Sequence, residues 1–170
     1  MERIPRLVWI CLTVFVLNYF VWYYINYRIW YNTYDWVNRA AVASHAADMA
    51  QYLDKAINGM ERWRFTQGHA ALIWRSPAND MSLIMKSLRR TKERAEKLAE
   101  EFLNGNPGHS LTAVDYNQAL DDLRSTLTEY PLQADYYWDV HFPGIVISAI
   151  YYLSLFGLVY AIVRPLVKLG

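Results

Sequence analysis

The fold is decided by the stretch from Arg6 to Trp63, which reads RLVWICLTVFVLNYFVWYYINYRIWYNTYDWVNRAAVASHAADMAQYLDKAINGMERW. It contains no proline, and its first glycine is Gly59. Because both residues destabilise helix interiors, their absence favours a long helical segment. Its first part, Leu7 to Tyr27, contains no charged side chain, and a bilayer-spanning helix needs about 20 apolar residues. The stretch therefore predicts a transmembrane helix followed by more helix.

The second part of this stretch carries a heptad pattern. Small and apolar residues recur at alternating steps of four and three: Val42, Ala46, Met49, Leu53, Ala56, Met60 and Trp63. Such a seam is buried either in a coiled coil or inside a helical bundle. We predict one helix from about Thr33 to Arg64. It either continues from the transmembrane helix as a single rod or begins afresh after it.

A second apolar segment lies near the end of the chain. Phe142 to Val163 contains no charged residue and is long enough to cross a bilayer. Arg3 and Arg6 precede the first span, whereas Arg164 and Lys168 follow the second. Since cytoplasmic flanks carry the excess of basic residues, both ends are predicted to be cytoplasmic. The pattern predicts a two-pass protein of the cytoplasmic (inner) membrane.

These signals divide the chain into four parts. Residues 1–27 form a cytoplasmic start and transmembrane helix 1, and residues 28–141 form an extracytoplasmic helical domain. Residues 142–163 form transmembrane helix 2, and residues 164–170 form a cytoplasmic tail. A cleaved signal peptide is the alternative for the first segment. Its apolar run is long for such a peptide and ends without a small-residue cleavage site, so we expect it to be retained.

The middle domain is predicted to be a bundle of about three or four helices. Ser76-Pro77 is typical of a helix start, and an apolar pattern with steps of three and four follows over Met81–Phe102. Thr112 and Asp115 resemble a capping box at the start of a further helix. The predicted fold class is therefore all-α, with two transmembrane helices flanking an extracytoplasmic helical bundle.

The sequence offers little that could support catalysis. It has no phosphate-binding loop, dinucleotide fingerprint, zinc-protease motif or nucleophile elbow. The single Cys11 excludes an intrachain disulfide, and His45 with Asp48 is interpreted as an ordinary surface pair. The basic residues form no stripe of the size that nucleic acid requires. We expect a protein that is not an enzyme, with no cofactor or metal site and no nucleic-acid partner.

Aromatic residues are unusually numerous, with seven Trp and 14 Tyr. Many lie between Tyr19 and Trp36, where the first span ends. Trp and Tyr favour the membrane interface, but these residues fall on every side of a helix. The excess predicts packing against another membrane protein. The residues predicted to contact lipid or a partner are Trp22, Trp30, Tyr31, Trp36, Trp74 and Trp138.

Two spans, many interfacial aromatic residues and a small helical domain indicate an accessory or structural subunit of a larger membrane complex. Its expected partners are other integral membrane subunits and the lipid bilayer. The subunit would contribute to assembly or stabilisation and would not catalyse a reaction.

Two other hypotheses remain. The order span, bundle, span is similar to the extracytoplasmic sensing module of bacterial chemoreceptors and sensor kinases. That resemblance is architectural, and it implies signalling through a separate partner because nothing after Leu166 resembles an output domain. Self-association is the third hypothesis, with a homo-oligomer formed through the seams over Val42–Trp63 and Met81–Phe102.

Overall fold

The computed structural model describes residues 6–71, 75–103, 112–128, 141 and 144–167. This part of the chain is all-helical, as the sequence predicts. The helices are α1 (Arg6–Asn32), α2 (Tyr34–Ala41), α3 (Ala46–Arg62), α4 (Met81–Leu103), α5 (Ala113–Thr128) and α6 (Gly144–Val167), with a 3-10 turn at Pro77–Asn79.

One of two compact units combines the apolar ends of the chain, Met1–Tyr27 and Trp138–Gly170. The helical stretch Val8–Ala41 covers most of α1 together with α2. Its most apolar part has a mean hydropathy of 1.8, and none of that part is buried in the protein. A helix of this length and composition could cross a membrane. The second apolar stretch, Gly144–Tyr160 within α6, is shorter. Among the residues that the structure describes there is thus one clear membrane-span candidate, and the two-pass arrangement stays a prediction.

Within this unit, α1 and α6 contact each other through aromatic rings and a small residue. The ring of Tyr151 lies 5.1 Å from that of Phe15 and 6.3 Å from that of Trp22, measured between centroids. A β-carbon added at Gly157 would lie 3.4 Å from the sulfur of Cys11, which is an ordinary contact. The two apolar helices therefore pack by stacking and close approach, without charged groups at these contacts.

The second unit, Arg28–Tyr137, is a helical bundle. In it α3 packs against α2 and α4, and α5 packs against α2 and α4. Burying a large apolar side chain stabilises by roughly 1.5–3 kcal/mol before the entropy of ordering is subtracted. The largest fully buried side chains are Phe65, Ile29, Met49, Leu53, Met60, Met81, Leu120 and Thr33.

The predicted single helix from Thr33 to Arg64 is wrong, and so is the single rod that would continue it from α1. α2 ends at Ala41, and His45 is extended at φ −130° and ψ 144° before α3 begins. Because α2 packs against α3, the chain folds back on itself here. Short helices gain most of their stability from tertiary packing of an apolar face, so folding back is favoured over a solvated rod.

The heptad marks the buried face of α3 but does not form a coiled coil. Its first member, Val42, lies in the turn before α3 and is 77% exposed. The face that the other members define is covered within the bundle by α2 and α4. The predicted coiled coil is therefore not supported. The fully buried heptad members are Ala46, Met49, Leu53, Ala56 and Met60.

Two side chains of α5 hold the turn between α2 and α3. The hydroxyl of Tyr116 accepts a hydrogen bond from the buried backbone N–H of Ala46 at 2.8 Å. The guanidinium of Arg124 donates to the carbonyl of Ala43, with an Nε–O distance of 3.1 Å, and also pairs with Asp121. Since helix starts leave backbone N–H groups without intrahelical partners, Tyr116 performs for α3 the role of a cap from another helix.

Tyr116→Phe is expected to lower the free energy of unfolding by about 1–3 kcal/mol, because it leaves the buried N–H of Ala46 without an acceptor. Urea denaturation of the full chain in non-ionic detergent micelles measures this change. Tyr52→Phe is the control, since the hydroxyl of Tyr52 makes no hydrogen bond within the described ranges. Equal losses in the two variants would contradict the capping role.

The start of α4 differs from the prediction at Ser76-Pro77. Ser76 opens the 3-10 turn instead, and its N–H donates to the side chain of Asn79 at 3.0 Å. Asp80 then accepts from the N–H and the hydroxyl of Ser82, at 2.9 and 2.6 Å. The hydrogen bond from the Ser82 hydroxyl is the main reason why the pKa of Asp80 lies below its usual value. The helix thus starts a few residues later than predicted.

The capping box predicted for α5 is confirmed. The N–H of Asp115 donates to the hydroxyl of Thr112 at 3.2 Å, and the N–H of Thr112 donates to the carboxylate of Asp115 at 3.3 Å. Aspartate therefore replaces the usual glutamate without loss of the reciprocal pair.

Candidate interaction surfaces

Two of the predicted contact residues, Trp30 and Tyr31, are exposed near the end of α1. Their side chains are 47% and 46% exposed, whereas the neighbouring Ile29 and Thr33 are fully buried. Residues four apart share one face of a helix, so Ile29 and Thr33 face the core together. At about 100° per residue, Trp30 and Tyr31 point about 80° and 180° away from the centre of that face. We call these two residues the aromatic face.

Trp36 is the centre of an aromatic and cationic cluster between α2 and α3. Its ring stacks with that of Tyr52, with centroids 5.9 Å apart. The Lys55 ammonium lies 4.4 Å and the Arg39 guanidinium 5.1 Å from the Trp36 ring centroid, within the range of cation–π attraction. Arg39 also pairs with Asp35 at 2.9 Å. Trp36 is therefore engaged within the chain, which limits what it can offer a partner.

Tyr52 and Lys55 were not among the residues predicted to make contacts. They are three residues apart and share one face of α3. That spacing is a weak signal by itself, because many helices carry such pairs on their solvated side. Their contact with Trp36 arises only because the chain reverses between α2 and α3.

The remaining predicted contacts are less informative. Trp22 is half-buried against Tyr151 in the apolar unit, beside a cavity of about 190 Å³ that Ser148 also lines. Trp74 and Trp138 lie outside the residues that the structure describes. The assignment of Trp22, Trp74 and Trp138 as contact residues stays a prediction, and so does that of the aromatic face.

The helical domain also carries an open cleft of about 740 Å³ beside the first half of α4. Three cations of α4 line it, namely Lys86, Arg89 and Arg90. Arg89 is paired with Glu61 of α3 at 2.7 Å. Neither Lys86 nor Arg90 has an ion-pair partner among the residues placed by the structure. Two carboxylates, Glu61 and Glu93, also line the cleft. Three cations and two carboxylates give the lining a net positive charge.

A second ion pair, besides that of Arg89 with Glu61, connects α3 and α4. Lys92 lies 2.7 Å from Asp54 of α3 and 3.5 Å from Glu96. The hydrogen bond to Asp54 is the main reason why the pKa of Lys92 is raised. Exposed pairs of this kind contribute little to stability.

Within the described ranges, no three His, Cys, Asp or Glu side chains gather as metal ligands would. No protein-family model, curated protein or solved structure matches this chain.

Proposed function

We propose that this chain is a non-catalytic accessory subunit of a larger integral membrane complex. Its apolar segments anchor it, and its helical domain contributes a surface for assembly or stabilisation. The observation that carries the proposal is the aromatic face, in which Trp30 and Tyr31 are about half exposed beside a fully buried Ile29. Large rings of this kind dominate the energetics of protein interfaces.

The apolar surface of α1 supports the membrane part of the proposal. A contiguous exposed apolar surface of this length is unfavourable in water and must be covered by lipid or protein. In the proposed topology α1 and α6 both span the membrane, both chain ends are cytoplasmic, and residues 28–141 are extracytoplasmic. The large side chains exposed along α1 include Trp9, Ile10, Leu17, Phe20, Tyr23 and Tyr24.

The position of the aromatic face favours a protein partner over hydrocarbon. Trp30 and Tyr31 belong to the unit Arg28–Tyr137, which contains the charged helices, and not to the apolar unit. Their exposure in this unit supports a contact with a neighbouring subunit, and the membrane interface, which also favours Trp and Tyr, is the alternative.

Extraction of native membranes in mild detergent, followed by pull-down on this chain, size measurement and mass spectrometry, tests the proposal. We expect a particle much larger than one 20.0 kDa chain in its micelle, with the same unrelated membrane subunits in a reproducible ratio. A particle that contains a single copy of this chain and nothing else would overturn it.

Replacing Trp30 and Tyr31 together with serine is expected to weaken partner binding by about 2 kcal/mol or more, which is about 30-fold. The measurement is the ratio of partner to chain in the pull-down, with circular dichroism to confirm unchanged helix content. Lys97→Ser with Glu100→Ser is the control, because both residues are exposed on α4 and far along the chain from the aromatic face. If both double variants, or neither, lose the partners, the aromatic face is not the contact.

A further inference from the structure

We propose that the cleft beside α4 binds a small organic anion, with a carboxylate or phosphate group on Lys86 and Arg90 and an apolar body against the rest of the lining. Its volume of about 740 Å³ suits a small molecule, since such sites measure about 300–1,000 Å³. The cleft shares no residue with the aromatic face. The inference therefore goes beyond the proposed function and stands or falls separately from it.

The charges of the cleft select an anion. Lys86 and Arg90 are four residues apart, so their side chains emerge from one face of α4. Arg89, between them in sequence, is already neutralised by Glu61 at 2.7 Å. Lys86 and Arg90 both line the cleft and have no ion-pair partner in the described part of the chain. An oxyanion has enough acceptor positions to bind both.

The rest of the lining decides the kind of anion. Met85 is an apolar residue of the lining, although only 4% of its surface is exposed. Thr66, in the turn after α3, adds a neutral hydroxyl group to the lining. The planar guanidinium of Arg90 can bind a carboxylate or phosphate through two parallel hydrogen bonds, which an ammonium group cannot do. The combination fits an anion with an apolar body better than a bare inorganic ion.

The cleft is held in shape before a ligand binds. The turn after α3 contains Arg64 at φ 60° and Gly68 at φ 87°, and the carbonyl of Gly68 accepts from the N–H of Met81 at 2.9 Å. Arg89 of α4 also forms an ion pair with Glu61 of α3, and both residues line the cleft. The backbone around the cleft is therefore connected before a ligand binds, whereas the exposed side chains of Lys86 and Arg90 lose freedom on binding.

Isothermal titration of the full chain in non-ionic detergent micelles tests the proposal. The probes are phenyl phosphate, benzoate, inorganic phosphate and, as the neutral compound, benzyl alcohol. We expect at least one aromatic anion to bind with a dissociation constant below about 1 mM, and at least about tenfold more tightly than inorganic phosphate. Benzyl alcohol should show no binding. Absence of binding by both aromatic anions would overturn the site.

Lys86→Gln with Arg90→Gln is expected to weaken binding of the aromatic anion by at least about tenfold, since charge-assisted hydrogen bonds are lost. Arg94→Gln with Lys97→Gln is the matched control: it removes the same charge from exposed positions of α4 that do not line the cleft. Equal weakening in both variants would show unspecific attraction and overturn the site. If inorganic phosphate binds as tightly as phenyl phosphate, the cleft does not recognise an apolar body, and that part of the proposal is wrong.

The same titration distinguishes a soluble ligand from a lipid headgroup. Phosphatidylglycerol added to the micelles should displace the aromatic anion if the phosphate of a lipid is the natural source, and should leave binding unchanged if the ligand is soluble. A defined ligand would also favour the sensor-like architecture over a purely structural subunit. Loss of partners in the pull-down, by contrast, has no bearing on this cleft.

Discussion

Replacing Gly59 with alanine is expected to lower the free energy of unfolding of the helical domain by about 3 kcal/mol or more, at the upper end for overpacking. A β-carbon there would overlap the backbone carbonyl oxygen of Asn32 and lie 2.8 Å from its carbon. Both are backbone atoms, so no side-chain rotation can relieve the overlap, and the end of α1 must move away from α3. The gain in helix propensity, about 1 kcal/mol, is too small to offset this cost.

Urea denaturation of the full chain in non-ionic micelles, followed by circular dichroism, measures this loss. Gly157→Ala is the matched control, because its new β-carbon would only make an ordinary contact, 3.4 Å from the Cys11 sulfur. We expect that control to change the unfolding of the helical domain by less than about 0.5 kcal/mol. An unchanged midpoint for Gly59→Ala would show that α1 and α3 do not approach each other this closely.

Leu53→Ala is expected to destabilise the helical domain by about 2–5 kcal/mol. Leu53 is fully buried in α3, which packs against both α2 and α4. Truncation removes apolar contacts and leaves a cavity that rigid neighbours fill only in part. Because small domains are stable by only about 5–15 kcal/mol, this single change removes a large part of the total.

Val42→Ala is the control for Leu53→Ala, since Val42 belongs to the same heptad but is 77% exposed. Its cost should be below about 0.5 kcal/mol. The denaturation midpoint of the unaltered chain should not depend on protein concentration, because the seam is buried within one chain. A midpoint that rises with concentration would instead favour the homo-oligomer, in which the seam joins two copies.

Much of the architecture could be predicted from local sequence. The uncharged run from Leu7 to Tyr27 predicted most of α1, and the steps of three and four predicted the buried faces of α3 and α4. The box formed by Thr112 and Asp115 predicted the start of α5. Each of these signals depends on residues within one continuous stretch of the chain. They therefore act in the same way whatever packs against them.

The candidate surfaces were predictable only in part. Trp30 and Tyr31 were predicted as contacts from the preference of large amphipathic rings for interfaces, and both are exposed. Trp36 was predicted on the same ground, but Tyr52 and Lys55 engage its ring. The same chemical preference led to both predictions. Only the neighbours in space distinguish an exposed ring from one that is already covered.

What the sequence determined by itself is which residues prefer burial, which prefer the membrane and where a helix can be capped. The tertiary structure alone decided where the chain turns and which helices meet. Nothing in a stretch without proline predicted the turn after Ala41, because Tyr116 and Arg124 stabilise it from 70 and 81 residues away. The cationic cleft arises in the same way, where α4 is held against α3. Periodicity reports a residue's preference for burial, whereas the contacts that satisfy it are formed only when the whole chain packs.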